Sequence, residues 1–340
     1  MLSSASSPTP RFSPVLVLHG GAGTLTRTAI TAEQQARYRQ ALNDILLAGQ
    51  ALLSQGADAL DVVTETVRLL EECPLFNAGR GAVYTADARH ELDACVMRGS
   101  DLAAGAVAGV TRLRNPVLAA RAVLASASPV LLIGEGAERF AIERGCETVA
   151  PDWFDTPERL VQLRSVQAAQ GGAALDHDAQ NLLAAQAPAP LDERAKMGTV
   201  GAVAMDARGH LAAATSTGGV TNKLPGRVGD SPLVGAGNYA NDRTVAVSCT
   251  GMGEAFIRGM AAYDVSALIE YAGLGLDEAC RRVVHDKLPP LGGRGGLIAV
   301  DAQGRIALPF NTEGMYRGWV RPGQAPVVAI YADEDDRSPA

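Results

Sequence analysis

Aromatic residues are scarce, at 4% of a chain that is 47% apolar and holds 37 glycines. The core must therefore be packed from small side chains, and the turns must rely on glycine. Basic charge is not in excess either, the net charge being -7 at pH 7. A nucleic-acid binder would carry a basic field, so no nucleic-acid partner is expected. No apolar run approaches the roughly 20 residues that span a bilayer, which argues against a membrane helix. The opening stretch, Met1 to Pro10, has neither a basic n-region nor an apolar h-region. It does not read as a secretory signal, and a disordered tail over residues 1–13 is expected. Five cysteines (Cys73, Cys95, Cys146, Cys249, Cys280) are scattered without CxxC spacing, and no two histidines have metal-ligand spacing. That pattern fits reduced thiols in a cytoplasmic protein better than a disulfide frame or a zinc site.

What the chain does have is a junction at Gly198-Thr199. Val200 to Met205 is a short apolar run ended by Asp206, Arg208 and Gly209, which reads as a buried strand closing in a turn. Ahead of it, Ser165 to Lys196 is rich in Ala, Gln, Gly and Pro and reads as a long, loose loop. A loose segment that enters the core at Gly-Thr suggests that the chain cuts itself there and exposes Thr199 as a new N-terminus. A freed α-amine has an unperturbed pKa of about 7.7–8.0, so it is partly neutral at pH 7. It would be the base for the hydroxyl of its own residue. Gly198, lacking a Cβ, would tolerate the strained backbone that brings this hydroxyl to the preceding carbonyl. The competing reading is a threonine that simply opens a core strand.

Other stretches carry chemistry in pieces. Val15 to Leu18 reads as a buried strand that delivers the glycine loop His19-Gly20-Gly21-Ala22-Gly23, which lacks P-loop or dinucleotide spacing. In the loop Cys73 to Ala82, Asn77 could donate to a reacting group or bond its own turn. The strand ending at Thr215 leads to Ser216-Thr217-Gly218-Gly219. Arg227 and Asp230 lie three residues apart between glycines and prolines. Arg227 could clamp a carboxylate in bidentate fashion while Asp230 holds an ammonium, which together grip the head of an α-amino acid. The alternative is that they pair only with each other. Thr250-Gly251-Met252-Gly253-Glu254 opens an Ala-rich helix expected to run through Ala262. Thr250 would either cap it or, with the Gly251 amide, face a developing oxyanion.

From about Val15 to Tyr331 these stretches, in this order, resemble the plant-type asparaginases, or isoaspartyl aminopeptidases, of the N-terminal-nucleophile hydrolases. The resemblance implies an α+β fold, a four-layer αββα sandwich, in one domain. Residues 14–198, with a flexible linker at 165–198, would form the α-subunit, and 199–340 the β-subunit. It implies Thr199 as nucleophile, cleavage between Gly198 and Thr199, and Thr217 tuning the hydroxyl. Thr250 and Gly251 would form the oxyanion hole, with Asn77 near the nucleophile. Arg227 would take the substrate α-carboxylate, Asp230 its α-amine, and Gly253 would line the pocket. The implied activity is hydrolysis of L-asparagine and β-aspartyl dipeptides to L-aspartate through a β-aspartyl ester, with no catalytic cofactor. The resemblance also implies a dimer of αβ units, a heterotetramer of chains. A structural sodium would be held by the backbone carbonyls of Leu70, Glu71, Cys73, Phe76, Ala78 and Arg80. A glycosylasparaginase or a threonine endopeptidase would share the cut, and a non-enzymatic amino-acid binder would not cut at all.

Overall fold

The computed structural model describes residues 12–23, 25, 27, 31–174 and 198–334. Most of the tail at 1–13, and the linker from 175 to 197, lie outside the described residues. Strand β1 (Val15–Gly23) is followed by helices α1 (Ala32–Ser54) and α2 (Ala59–Glu72). Then come β2 (Leu92–Arg98), β3 (Ala104–Val110), α3 (Pro116–Ala125), β4 (Leu131–Ile133), α4 (Gly134–Ile142) and α5 (Pro157–Ala174). Beyond Gly198 come β5 (Val200–Met205), β6 (Leu211–Thr217), β7 (Asn238–Ala240), β8 (Val245–Gly251) and helices α6 (Gly253–Gly259), α7 (Ala261–Ala272) and α8 (Leu276–Arg281). Strands β9 (Gly295–Asp301), β10 (Ile306–Ala307), β11 (Gly314–Val320) and β12 (Val327–Tyr331) complete the described elements.

Strand alternation builds the layers. In β5, Val200, Ala202 and Ala204 point to one core with Leu42, Leu46 and Val63 of the first two helices. Val203 and Met205 point the other way, to a second core with Val247, Ala262 and Val283. The large sheet, in the order β12-β11-β1-β5-β6-β2-β3-β4, thus has α1 to α3 on one face and the sheet β10-β9-β8-β7 on the other. Helices α7 and α8 cover the far side of the small sheet. The result is the αββα sandwich that the resemblance implied. Strands from both sides of Gly198 alternate in the large sheet, since β1 lies between β11 and β5. A cut at Gly198 would leave the two pieces held by one hydrogen-bonded sheet and two shared cores.

Local chemistry explains the helices. At the head of α1, the Gln34 amide donates to Thr31 Oγ1 at 3.2 Å and the Thr31 amide to Gln34 Oε1 at 3.0 Å. This reciprocal cap is worth about 0.5–2 kcal/mol. The stripe Leu42, Ile45, Leu46, Gly49 and Leu53 is buried along one face, at the spacing an amphipathic helix requires.

Four local readings need correction. The glycines after His19 form no loop. Residues 19–23 stay in β1, with an irregularity between His19 and Gly21 in the pairing to β11. Gly21 has φ +113°, and a Cβ on it would lie 2.8 Å from the Gly198 Cα. This close approach to the junction, not a phosphate or a turn, accounts for glycine there. The segment after Ser165 begins as helix, because α5 runs to Ala174, where Ala and Gln are good helix formers. The helix after Gly253 stops at Gly259, where Met260 takes φ 47°. Finally, Thr250 lies in β8 and caps nothing. The residue before α6 is Met252, without a side-chain cap.

Candidate active site

Thr199 stands at the head of β5, 7% exposed. Across the sheet, Val200 pairs with Ser216 of β6, which sets Thr217 beside Thr199. The Thr199 hydroxyl donates to Thr217 Oγ1 at 3.2 Å and lies 3.4 Å from Ser231 Oγ. Thr217 Oγ1 approaches the Gly198 carbonyl oxygen at 3.5 Å and accepts the Gly219 amide at 3.0 Å. From the small sheet, Thr250 Oγ1 accepts the amides of Thr199 (3.3 Å) and Ala22 (3.1 Å). Both lone pairs of the Thr250 oxygen are thereby engaged, and its proton is left to donate. Three threonine hydroxyls from three strands thus meet at the Gly198–Thr199 bond.

Asn77 does not donate to Thr199. Its Nδ2 donates to the Gly219 carbonyl at 2.7 Å, its Oδ1 accepts the Val83 amide at 2.9 Å, and its carbonyl accepts Gly218. It bonds its own turn, and that turn braces the Thr217-Gly218-Gly219 corner.

Arg227 and Asp230 do not pair with each other. Arg227 Nε and Nη2 each donate to Glu254 at 2.9 Å. The Glu254 side chain is 65% exposed, so this bond contributes about 0–1 kcal/mol and leaves the Nη1 side of the fork available. Asp230 is buried and its Oδ2 has no partner. Burial pushes its carboxyl up to about 7, the positive charge of Arg227 acting weakly against that shift. An unpartnered buried carboxylate is costly unless a cation meets it. Gly253 completes the clamp, for a Cβ there would lie 2.9 Å from Arg227 Nη2 and 3.0 Å from Asp230 Oδ1. Thr199, Thr217, Arg227, Asp230, Ser231 and Gly251 line one cleft. A guanidinium and a buried carboxylate at one end, with a threonine hydroxyl at the other, are the groups that an amino-acid head and its side-chain carbonyl would meet.

Sequence reasoning assigned no role to Ser231, Glu254 or Ala22. They reach the site through tertiary pairing, which no periodicity announces.

Among the described residues no group of three or more His, Cys, Asp or Glu is placed to hold a metal. Carbonyls are another matter. Gly79 and Gly81 let main-chain oxygens close in, since their Cβ atoms would lie 2.4 Å from the Glu71 oxygen and 2.8 Å from the Phe76 oxygen. The Leu70, Glu71 and Cys73 carbonyls each accept one amide, leaving one lone pair apiece for a cation.

A sequence profile described as asparaginase matches residues 12–330. An isoaspartyl peptidase of Escherichia coli K12 is 61% identical over 322 residues, covering 95% of this chain and 97% of that protein. An isoaspartyl peptidase of Salmonella typhimurium is 62% identical over 319 residues, covering 94% and 99%. A plant-type L-asparaginase of Pyrobaculum calidifontis is 41% identical over 315 residues, covering 91% and 97%.

Proposed function

Because the chain belongs to the asparaginase family, we propose that it hydrolyses β-aspartyl dipeptides and L-asparagine to L-aspartate, with Thr199 as its nucleophile. The observation that carries this reading is the buried Thr199, at a Gly–Thr bond, with its hydroxyl on Thr217 Oγ1, its amide on Thr250 Oγ1, and the Arg227–Asp230 cleft beside it. Family membership makes the chain a hydrolase and sets aside the non-enzymatic binder.

The first reaction is the chain's own. Thr199 Oγ1 attacks the Gly198 carbonyl, with Thr217 Oγ1 beside the carbonyl oxygen to stabilise its developing charge. The hydroxyl proton passes to the Thr199 nitrogen as the C–N bond breaks, and an ester forms on Thr199. Water then hydrolyses it to a Gly198 carboxylate and a free Thr199 amine. In turnover that amine takes the hydroxyl proton as Oγ1 attacks the side-chain carbonyl of the substrate. Thr250 and the Gly251 amide hold the oxyanion. Ammonia or an amino acid leaves with the proton, and water hydrolyses the β-aspartyl ester. Arg227 pairs with the α-carboxylate and Asp230 with the α-ammonium, groups that asparagine and β-aspartyl dipeptides share. The test is aspartate release from asparagine and from a β-aspartyl dipeptide. Faster release from N-acetylglucosaminyl-asparagine, or cleavage of a folded protein, would move the chain to one of the sister activities.

Asp230 sets a pH dependence. Its carboxyl gains a proton as pH falls through about 7, and a neutral carboxyl no longer pairs with the ammonium. The KM for asparagine should therefore rise steadily from pH 8 to pH 5. In Asp230→Asn it should be high and flat over that range. A KM independent of pH in the natural chain would remove Asp230 from the ammonium site.

The carbonyls of Leu70, Glu71, Cys73, Phe76, Ala78 and Arg80 would hold a sodium ion that fixes the Asn77 turn and takes no part in the reaction. An ion bound only by the folded state raises stability with its concentration. The melting midpoint should be higher in sodium chloride than in tetramethylammonium chloride of equal ionic strength, and equal midpoints would exclude the ion. The assembly is proposed to be a dimer of αβ units, testable by light scattering. The setting is proposed to be cytoplasmic. All five cysteines are free, and among the described residues no helix is long and apolar enough to cross a membrane.

A further inference from the structure

Directly beneath the reacting threonines, one residue pair deeper along the strands, lies a rung of polar side chains where an apolar core would be expected. His19 of β1, Gly201 of β5, Thr215 of β6 and Cys95 of β2 are cross-strand neighbours in the large sheet. Ser248 and Asn238 pair opposite them in the small sheet. All are buried, the glycine included. The next rung down returns to hydrocarbon, with Val17, Val203 and Ala213.

The rung ties the two sheets together. His19 Nε2 and Ser248 Oγ are 3.0 Å apart, and Ser248 Oγ and Thr215 Oγ1 are 2.7 Å apart. Thr215 donates to Asn238 Oδ1 at 3.0 Å, Asn238 Nδ2 donates to Cys95 Sγ at 3.4 Å, and Cys95 Sγ donates to the Val96 carbonyl at 3.8 Å. Asn238 Oδ1 only accepts, so Thr215 donates to it, and the chain then runs from His19 Nε2–H through Ser248 to Thr215. The imidazole is neutral and also meets the Thr199 backbone. Burial agrees, lowering the His19 pKa to about 3. Gly201 has no side chain because the rung fills its space: a Cβ would lie 1.9 Å from Ser248 Oγ and 2.5 Å from His19 Nε2.

Thr199 and Thr217 project from the large sheet, two residues beyond Gly201 and Thr215 on the same faces. Thr250 projects from the small sheet, two residues beyond Ser248. The distance from nucleophile to oxyanion donor is therefore an inter-sheet distance, and hydrogen bonds across the layer add a direction to it that non-directional apolar contacts lack. We infer that the His19–Ser248–Thr215–Asn238 chain is a positioning device that fixes the spacing between Thr199 and Thr250. Its residues touch no substrate; they act through the threonines one rung above. This inference rests on the reading of Thr199 and Thr250 as reacting groups.

The test uses two near-isosteric changes at the hub, Ser248→Ala and Thr215→Val, and their combination. A displacement well below 1 Å suffices to matter, so each should lower both the rate of self-cleavage and kcat about tenfold or more. The KM for asparagine should stay within roughly twofold, since Arg227 and Asp230 lie in another loop. The double variant should be no slower than the worse single one, because both break the same chain. A merely structural role would lower the melting midpoint and leave kcat per cut chain unchanged. Unchanged kcat in both cut, folded variants would overturn the inference. Failure of the natural chain to cut or to release aspartate would instead overturn the functional reading beneath it.

Discussion

Replacing Thr199 by alanine should leave a single uncut chain that releases no aspartate from asparagine or from a β-aspartyl dipeptide. The substitution deletes the attacking oxygen of both reactions together with one methyl group. Thr199 contributes one hydroxyl to a buried cluster in which Thr217 keeps the Gly219 amide and Thr250 keeps the Ala22 amide. The remaining methyl fits the strand head, so folding should survive. Loss of activity in a folded chain would then be chemical, which circular dichroism and a melting curve can verify. Thr199→Ser is the complementary variant, since it retains an attacking hydroxyl and should retain cutting. Normal turnover by the alanine variant would refute Thr199 as nucleophile.

Thr250→Val should cost about 10²–10³ in kcat, the usual loss when one oxyanion donor is removed. Valine keeps the shape of threonine inside β8, so the buried strand pairing with β9 is preserved. What disappears is the proton offered to the oxyanion and the oxygen that accepts the Thr199 and Ala22 amides. Self-cleavage should slow as well, because the Thr199 amide loses its anchor. The KM for asparagine should change little, as Arg227 and Asp230 are untouched. Near-full kcat would take Thr250 out of the oxyanion hole, and a KM effect alone would make it a binding residue.

The short apolar strand at Val200–Met205 and the buried stripe of α1 were legible because each is written in local periodicity. The ordered stretches from His19 to Glu254 carried the family, and with it the four-layer order of the sheets. What stayed hidden is tertiary. Composition left Arg227 and Asp230 as each other's natural partners, yet Glu254, 27 residues on, takes the guanidinium, and Asp230 is left unpartnered in the cleft. For Thr250 a helix cap stood beside the oxyanion role, because a helix start follows it. Pairing with β9 holds it in a strand instead, aimed at Thr199. The glycines after His19 read as a loop because glycine ordinarily marks turns. Here they let a strand pass the Gly198 backbone at a distance no side chain permits. The polar rung was invisible for the same reason, since His19 and Ser248 are 229 residues apart.

The central claim is that Thr199 becomes an N-terminus. A denaturing mass spectrum of the purified chain after overnight incubation tests it most directly. The account predicts two species, one of them beginning at Thr199. A single intact species near 35.2 kDa after that incubation, from a folded chain that nevertheless releases aspartate, would contradict it.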